Sequence, residues 1–409
     1  MLTSMAQRND LRTGLSAARA CTDALFSLVR ADSFYERPIP ERHRLIFYLG
    51  HLEAFDWNQI CQGALALFPF HSEFDRLFAF GIDPPEGQLP SDVAWDWPRV
   101  SEVQSYNRRV RQTLDKVLDD APEHLIHVAI EHRFMHAETL AYILHNLSYD
   151  RKLVQDEGTR VSPAAPAPVH AMKDIPAGTA TLGKYRGDGF GWDNEFDAHT
   201  VDVPPFAISQ YKVTNAQYLE FVRAGAAAPH FWKLDGDRWL YRTMFEEIPL
   251  PLDWPVYVTQ REAQAYAAWV GKVVPTEAQF HRAAYGTPAG EERSYPWGND
   301  FPDDTCGNFN FQGWDPVAVA ATPLGDSTFG VSQLVGNGWE WTSTPFNPFP
   351  GFQPFPFYTG YSKPFFDGDH YVLKGASSRT AARLMRRSYR NWFRPVFPYA
   401  YAGFRCVEN

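Results

Sequence analysis

The stretch EHRFMHAETLAYILHNL, residues 131–147, decides how the N-terminal part of the chain folds. Its apolar residues recur with the spacing of a helix that buries one face. His132 and His136 are four residues apart, so their imidazoles project from the same side of that helix. Two imidazoles placed in this way can grip one metal ion. The same spacing also arises by chance, so the pair alone leaves both a metal site and an ordinary helix open.

A third histidine lies on an earlier helical stretch. Residues 46–58 read IFYLGHLEAFDWN and carry His51. Helical bundles commonly build metal sites from side chains on facing helices, so we expect His51 to complete the ligand set of His132 and His136. Three neutral nitrogen ligands leave coordination positions open for oxygen or a substrate. Glu138 lies about 200° further round the helix than His136, and we therefore assign it a supporting or structural role.

Helical periodicity covers four long stretches of the N-terminal part and then stops. The predicted helices span residues 10–31, 41–68, 97–118 and 122–147. Four helices of this length predict a bundle. The segment VSPAAPAPVH at 161–170 is rich in proline and cannot continue a helix, so it indicates a linker. We predict a helical domain over 1–155, a linker over 156–172 and a second domain over 173–409.

The second domain has the pattern of short strands and turns. Helical spacing is clear only at 260–270 and at 215–224. Aromatic residues make up 15% of the chain and are dense towards the C-terminus, together with proline and glycine. This composition is typical of a loop-rich fold with aromatic-lined sites. The chain as a whole is predicted to be α+β, with a four-helix bundle followed by a mixed, loop-rich domain.

Charge and cysteine content exclude several classes of protein. The net charge of −10 argues against nucleic-acid binding, which requires a basic face. No stretch approaches the roughly 20 apolar residues of a membrane span, and the N-terminus lacks the apolar core of a signal peptide, so we expect a cytoplasmic protein. The four cysteines contain no CxxC pair. Neither a disulfide framework nor a thiolate zinc site is indicated.

Both halves of the chain resemble the domains of one enzyme superfamily. An isolated histidine after RHRLIFYLG (42–50), followed by HxxxHxE at 132–138, resembles the DinB-like domain of the EgtB and OvoA iron enzymes. The second half resembles the formylglycine-generating-enzyme fold, which is C-type-lectin-like. Its landmarks occur in order: IPAGTATLG (175–183), KVTNAQY (212–218), VVPTEAQFHRAA (273–284), PWG (296–298), GNGWEWT (336–342), VLKGAS (372–377) and GFRC (403–406). The combination of the two domains in one chain indicates this superfamily more specifically than either half does alone.

The resemblance implies an activity and a set of site residues. In EgtB-like enzymes three histidines bind Fe(II), and molecular oxygen drives attachment of a chalcogen at imidazole C2 of hercynine, the betaine of trimethylated histidine. The metal ligands would here be His51, His132 and His136. The matching substrate positions are Asn391 and Trp392. A tyrosine segment of the family matches residues 358–362, which implies Tyr358 as the catalytic phenol and Tyr361 as a wall of the substrate site, although packing alone would also explain both.

The chalcogen donor is the point at which the sequence departs from the common pattern. Where enzymes that use gamma-glutamylcysteine have an aspartate, this chain has Phe393, followed by Arg394 as a partial compensation. The loop at 81–98 contains no arginine or lysine, and we expect it to repel a dicarboxylate donor. Its acidic residues are Asp83, Glu86, Asp92 and Asp96. A neutral selenosugar, the donor of the selenoneine synthase (SenA) branch, would stack on Phe393 and on Trp95 and Trp97 of this loop.

Several alternatives stay open at this point. Free cysteine or gamma-glutamylcysteine would make the chain an ergothioneine-type sulfoxide synthase. A formylglycine-generating oxidase needs a reactive cysteine pair, and the segment before GFRC contains no cysteine. A noncatalytic sugar- or partner-binding protein would have no reason to keep three metal ligands. We therefore favour selenoneine biosynthesis with a selenosugar donor, and the oligomeric state is left open.

Overall fold

The chain forms two compact units, Met1–Gly158 and Thr159–Asn409. The computed structural model describes residues 2–79, 89–154 and 167–408. The first unit is helical, and the second combines strands with short helices, so the predicted α+β class is confirmed. Most of the predicted linker falls outside the described residues, and its extent stays a prediction.

Within its described residues, the first unit contains four long helices and one short one. Their bounds are α1 Leu2–Ser27, α2 Leu45–Asp56, α3 Ser72–Leu77, α4 Val100–Val117 and α5 Glu123–Asn146. Helix α1 packs on α5, and α2 packs on both α4 and α5. The four predicted long helices are therefore present, although the first spans Leu2–Ser27 rather than residues 10–31, and α2 and α5 are neighbours.

The second predicted helix differs from the observed one at both ends. Helix α2 begins at Leu45 rather than at residue 41, because Arg44 has an extended backbone, and two prolines at 38 and 40 precede it. It continues as a π-helix over Trp57–Ala64. Ala66 then adopts a left-handed conformation with a φ of 53°, which ends the helix before residue 68.

Every residue of α2 is buried. A helix that is enclosed on all sides belongs to the centre of a bundle, and any polar side chain on it is removed from water. Helix α2 carries a histidine and two carboxylates, His51, Glu53 and Asp56. Each of them therefore needs a partner within the protein or a bound ligand.

In the part of the second unit that the structure describes, short strands are combined with three helices. The strands are β1 Met172–Ile175, β2 Gly178–Leu182, β3 His199–Val203, β4 Phe206–Ser209, β5 Trp232–Asp235, β6 Arg238–Arg242, β7 Glu247–Pro249, β8 Gly338–Pro345, β9 Tyr371–Ala376, β10 Asn391–Phe393, β11 Ala402–Gly403 and β12 Val407–Glu408. The helices are α6 Asn215–Arg223, α7 Gln260–Trp269 and α8 Glu277–Tyr285. The helices predicted at 215–224 and 260–270 are confirmed as α6 and α7.

Local sequence explains where the three helices of the second unit begin. Thr214, Thr259 and Thr276 each cap a helix and are each followed three residues later by Gln or Glu. In all three cases the threonine side chain accepts from the backbone N–H at that third position, and the Gln or Glu side chain accepts from the threonine N–H. This reciprocal capping box satisfies two backbone donors that a helix start would otherwise leave open.

The strands form small sheets, of which the largest has the order β10-β9-β8-β11. Strand β10 pairs antiparallel with β9, so that Trp392 lies opposite Val372. Smaller sheets have the orders β1-β4-β12, β5-β6-β7 and β2-β3. Helix α8 packs against β2, β3, β8 and β9 and buries Phe280 completely. In the described part of the chain, no helix combines the length and apolarity needed to cross a membrane.

Candidate active site

The three predicted metal ligands meet inside the first unit. His51 of α2 and His132 and His136 of α5 each offer one ring nitrogen, and these nitrogens lie within 4.8 Å of one another. The ring centroids of His132 and His136 are 4.4 Å apart, and that of His51 lies 4.9 Å from the His136 centroid. All three side chains are buried, with at most 4% of any residue exposed. We call these residues the histidine triad.

Backbone contacts fix the orientation of His51. Its Nδ1 lies 2.7 Å from the carbonyl oxygen of Phe78. A carbonyl oxygen can only accept, so Nδ1 carries the proton and Nε2 keeps a lone pair. Among the described residues, Nε2 of His51 and both ring nitrogens of His136 have no hydrogen-bond partner. Buried nitrogens without a partner are costly unless a ligand occupies them, so these residues fit a bound metal ion.

Burial keeps the histidine triad neutral. Removal from water lowers the pKa of His51 to about 4, although the hydrogen bond to Phe78 acts in the opposite direction. Burial also lowers the pKa of His132 and of His136 well below the usual value, and the neighbouring histidines lower both further. Neutral imidazoles have the free lone pair that a metal ligand requires.

Aromatic rings surround the histidine triad. Phe55 stacks on His132 with centroids 3.6 Å apart and ring planes 11° apart. Phe47 stacks on His51 at 4.8 Å. These contacts restrict rotation of the imidazoles and exclude water. Glu138 is buried and does not belong to the metal-competent group, and its supporting role stays a prediction.

An ion cluster that sequence reasoning missed lies beside the triad. Arg133 donates from Nη2 to Asp56 Oδ2 at 2.7 Å and to Glu53 Oε2 at 2.5 Å. Arg111 of α4 donates to the other Glu53 oxygen at 2.7 Å. We call Arg133, Glu53 and Asp56 the arginine cluster. It ties α5 to α2 one residue from His132 and so sets the position of His51. The feature of the sequence that could have indicated this cluster is a charged residue in an otherwise apolar helical stretch.

Two predicted substrate residues and the predicted catalytic tyrosine come together in the second unit. Trp392 stacks on Phe346 at 4.3 Å and meets Tyr361 edge-on at 5.4 Å. The rings of Tyr361 and Tyr358 are 5.7 Å apart. Asn391, another predicted substrate residue on β10, accepts the backbone N–H of Trp392 at 2.9 Å. Tyr358, Tyr361 and Trp392 thus form one aromatic cluster with an amide at its edge.

Phe393 and Arg394 make contacts of a different kind. Successive side chains of a strand point to opposite faces, so Phe393 lies on the other side of β10 from Trp392. It stacks on Phe397 with centroids 4.9 Å apart and ring planes 5° apart. Arg394 Nε lies 3.9 Å from Asp369 Oδ2. Their participation in donor binding stays a prediction.

The charge of the acidic loop at 81–98 is partly neutralised in its described part by arginines from another segment. Arg37 and Arg44, which precede α2, both pair with Asp92, and the distance from Arg44 Nε to Asp92 Oδ2 is 3.0 Å. The Asp96 side chain accepts the backbone N–H of Val93 and so caps a short turn. Asp83 and Glu86 lie outside the described residues. Asp92 was counted as a free charge because its partners lie far away in the sequence.

The cysteines do not provide a reactive pair. All four are free thiols. Burial raises the pKa of Cys406 to about 12, so the thiol of GFRC stays protonated and is a packing residue.

Fold and site together define a two-unit protein, in which a helical unit with a three-histidine candidate metal site precedes an α+β unit with an aromatic cluster. Residues 158–409 match the sulfatase-modifying factor enzyme 1-like domain family.

Relatives extend the match to both units. The chain is 35% identical to the hercynine oxygenase of Mycolicibacterium smegmatis over 82% of this chain and 83% of that protein. It is 37% identical to the hercynine oxygenase of Mycolicibacterium thermoresistibile over 73% and 72% of the two chains. Ergothioneine biosynthesis protein 1 of Neurospora crassa is 27% identical over 92% of this chain and 55% of its own length. The chain belongs to the EgtB-like family of oxidoreductases.

Proposed function

We propose that this protein is a non-haem iron(II) enzyme that uses molecular oxygen to form a carbon–chalcogen bond at imidazole C2 of hercynine. The observation that carries the proposal is the histidine triad, with three buried, neutral imidazoles whose ring nitrogens converge within 4.8 Å. The names of the relatives support hercynine as the substrate.

The histidine triad would hold the iron. Three neutral nitrogen ligands suit a divalent first-row ion and leave positions open, where iron would supply oxygen activation and a contact for the substrate ring. The buried Nε2 of His51 and the ring nitrogens of His136 meet this requirement. The backbone carbonyl of Phe78 keeps His51 in the tautomer that a metal needs.

Tyr358 is proposed as the proton donor. Burial raises the pKa of its phenol to about 12, and the nearby charge of Asp193 adds to this effect. The phenol therefore keeps its proton at neutral pH, as an acid catalyst must. The faces of Trp392 and Tyr361 suit the trimethylammonium group of hercynine, because a weakly hydrated cation is attracted to aromatic faces.

The overall reaction balances with one molecule of oxygen. The C2–H bond and the chalcogen–H bond of the donor break, and a carbon–chalcogen bond forms, which removes two electrons. Oxygen accepts four electrons. The other two come from oxidation of the chalcogen, which gains one oxygen atom, and the second oxygen atom leaves as water. A product released in the reduced state would require an added reductant.

For the donor we propose a selenosugar, with free cysteine and gamma-glutamylcysteine as alternatives. Phe393 supports a neutral, stacking donor, because it stands where a charged recognition residue occurs in enzymes that use gamma-glutamylcysteine. Trp95 is 83% exposed and available for stacking. Because Asp92 pairs with Arg37 and Arg44, the loop repels an anionic donor less than its sequence suggests. The sulfur donors therefore need a direct test.

The test is a set of parallel reactions. Purified protein is loaded with Fe(II) without oxygen, then given oxygen, hercynine and one donor at a time, and the products are identified by mass spectrometry. We expect a hercynine–selenium adduct with the selenosugar. Adducts with sulfur donors alone would overturn the selenium assignment but keep the reaction class. No hercynine consumption with any donor would overturn the proposed function.

A matched pair of variants links the reaction to the histidine triad. His136→Ala removes a predicted ligand, whereas His124→Ala changes an exposed histidine on the same helix. We expect turnover to be lost in the first and kept in the second.

A further inference from the structure

One turn of the second unit carries a buried carboxylate with an unusual set of partners. Asp193, in the turn Asp193–Glu195, is 1% exposed. Its Oδ1 accepts from Ser362 Oγ at 2.5 Å. Burial raises the pKa of the Asp193 carboxyl, whereas the bond from Ser362 and backbone hydrogen bonds from Phe355 and Asn194 act in the opposite direction. A single side chain therefore anchors the segment 355–362 near its start and at its end.

The two tyrosines of the aromatic cluster lie between these anchor points. The N–H of Tyr358 donates to the carbonyl of Phe355 at 3.1 Å, and the N–H of Tyr361 donates to the carbonyl of Tyr358 at 3.2 Å. The segment thus forms two successive turns. The ring of Tyr361 also stacks at 4.0 Å on Trp192, which directly precedes Asp193. The positions of both tyrosines therefore depend on where Asp193 is held.

The partners of Asp193 are incomplete, unlike those of its neighbour Glu195. Glu195 is fully buried and receives hydrogen bonds from Arg386 at 2.7 Å and from Ser388 at 2.6 Å. Among the described residues, Oδ2 of Asp193 has no hydrogen-bond partner. A buried carboxylate oxygen without a partner destabilises the fold. Packing alone therefore does not account for a carboxylate at this position, where an amide would satisfy Ser362 and Phe355.

We propose that Asp193 is a positioning residue, which acts through Ser362 and Phe355 to hold the Tyr358 loop in the conformation that presents the phenol to the substrate. The inference rests on the proposed function for the role of Tyr358, whereas the anchoring itself rests on the contacts of the second unit.

The first test measures order in the loop and does not depend on turnover. Hydrogen exchange of the segment 355–362 is followed by mass spectrometry in the full-length protein. Asp193→Ala is expected to accelerate amide exchange there by about tenfold or more, because local opening becomes easier when its anchors are lost. Asp188→Asn, an exposed carboxylate in the same unit, is the matched control and should leave exchange unchanged. Unchanged exchange in Asp193→Ala would overturn the positioning role.

The second test separates positioning from binding and from general stability. We expect Asp193→Ala to lower kcat by about 10- to 100-fold, within the range that a positioned general acid contributes, with little change in KM for hercynine. Asp193→Asn keeps an acceptor for Ser362 and should retain loop order while losing the charge, so kcat should fall less. Ser362→Ala should have a partial effect that is not additive with Asp193→Ala, since the two residues act as one unit.

The outcomes distinguish this inference from the proposed function. An unchanged kcat in Asp193→Ala, or a higher KM with normal kcat, would overturn the catalytic part of the inference. Additive effects of the two substitutions would overturn action through Ser362. If the wild-type protein does not consume hercynine, the proposed function fails, and the exchange measurement still decides whether Asp193 anchors the loop.

Discussion

Two neighbouring clusters of buried polar side chains in the first unit differ in whether the protein itself supplies their partners. In the arginine cluster, the guanidinium of Arg133 lies against the carboxylates of Glu53 and Asp56, so opposite charges compensate one another even though Arg133 Nη1 and Asp56 Oδ1 have no hydrogen-bond partner among the described residues. In the histidine triad, Nε2 of His51 and both nitrogens of His136 have no hydrogen-bond partner among the described residues. The clusters share helices α2 and α5, so the difference does not come from the depth of burial.

This contrast separates buried polar residues that stabilise the fold from buried polar residues that bind a ligand. A fold that can supply a salt bridge one residue away could also have supplied acceptors or apolar side chains at the triad. Buried nitrogens without a hydrogen-bond partner destabilise the folded protein. A ligand that binds them stabilises it. The second unit repeats the contrast on a smaller scale, because Glu195 is fully paired and Asp193 is not.

The largest expected effect is on metal binding. His51→Ala and His136→Ala should each reduce iron affinity by more than about 100-fold, since loss of a ligand should exceed the 10- to 100-fold cost of losing an outer-shell partner. Iron content after anaerobic loading and desalting measures this, together with turnover. His124→Ala should bind iron normally. A His51→Ala, His136→Ala double variant that turned over at the normal rate would end the iron assignment.

The arginine cluster should show its effect in stability instead. Arg133→Met leaves the buried carboxylate of Asp56 without its counterion and leaves Glu53 with Arg111 alone, and it should lower the free energy of unfolding by about 3–5 kcal/mol. His136→Leu in the metal-free protein should change it by no more than about 1 kcal/mol, because it removes buried nitrogens that have no partner. Urea unfolding of both metal-free variants gives the values. Equal destabilisation by the two substitutions would erase the contrast between the clusters.

A third prediction concerns pH and the paired carboxylate of the second unit. Burial opposes ionisation of Glu195, but the charge and hydrogen bonds of Arg386 and Ser388 outweigh it, so its pKa lies below the usual value. Its stabilisation is thus complete above the unfolded pKa and is lost as the pH falls through the folded pKa.

Glu195→Gln tests this linkage. The variant should be less stable than the wild type at pH 7, and the difference should shrink on acidification, by at most about 1.4 kcal/mol per pH unit. Unfolding curves at a series of pH values provide the measurement. A difference that is constant with pH would show that Glu195 is not an ionised partner of Arg386.

The smallest expected effect is on donor choice. Phe393→Asp restores the carboxylate found where gamma-glutamylcysteine is the donor, and it should shift the ratio of kcat/KM values towards that thiol by about tenfold, or about 1.4 kcal/mol. Phe393→Leu controls for loss of the ring. No shift in Phe393→Asp would show that the residue does not contact the donor.

Sequence reasoning found the histidine triad because two ligands share a helix at a spacing of four and the third stands in a recognisable helical stretch. It missed the arginine cluster, because Glu53 and Asp56 lie 80 and 77 positions from Arg133 and no local pattern pairs them. Asp92 was misread for the same reason, since its arginines belong to a different segment.

The aromatic cluster was predicted through resemblance rather than through pattern. Tyr358, Tyr361 and Trp392 lie in loops and a three-residue strand, where side-chain periodicity carries little information. Asp193 gave no signal, because an acidic residue in a turn is ordinary until its burial is known. The bounds of α2 also escaped prediction, since the π-helix and the left-handed Ala66 are set by tertiary packing.

The most direct test of the central claim is a crystal structure of the protein loaded with Fe(II) in the absence of oxygen, with anomalous diffraction recorded on both sides of the iron edge. The account predicts one anomalous peak, bounded by the rings of His51, His132 and His136, with Nε2 of His51 facing the ion. Iron bound elsewhere, or a fully loaded protein with no peak among these rings, would contradict it.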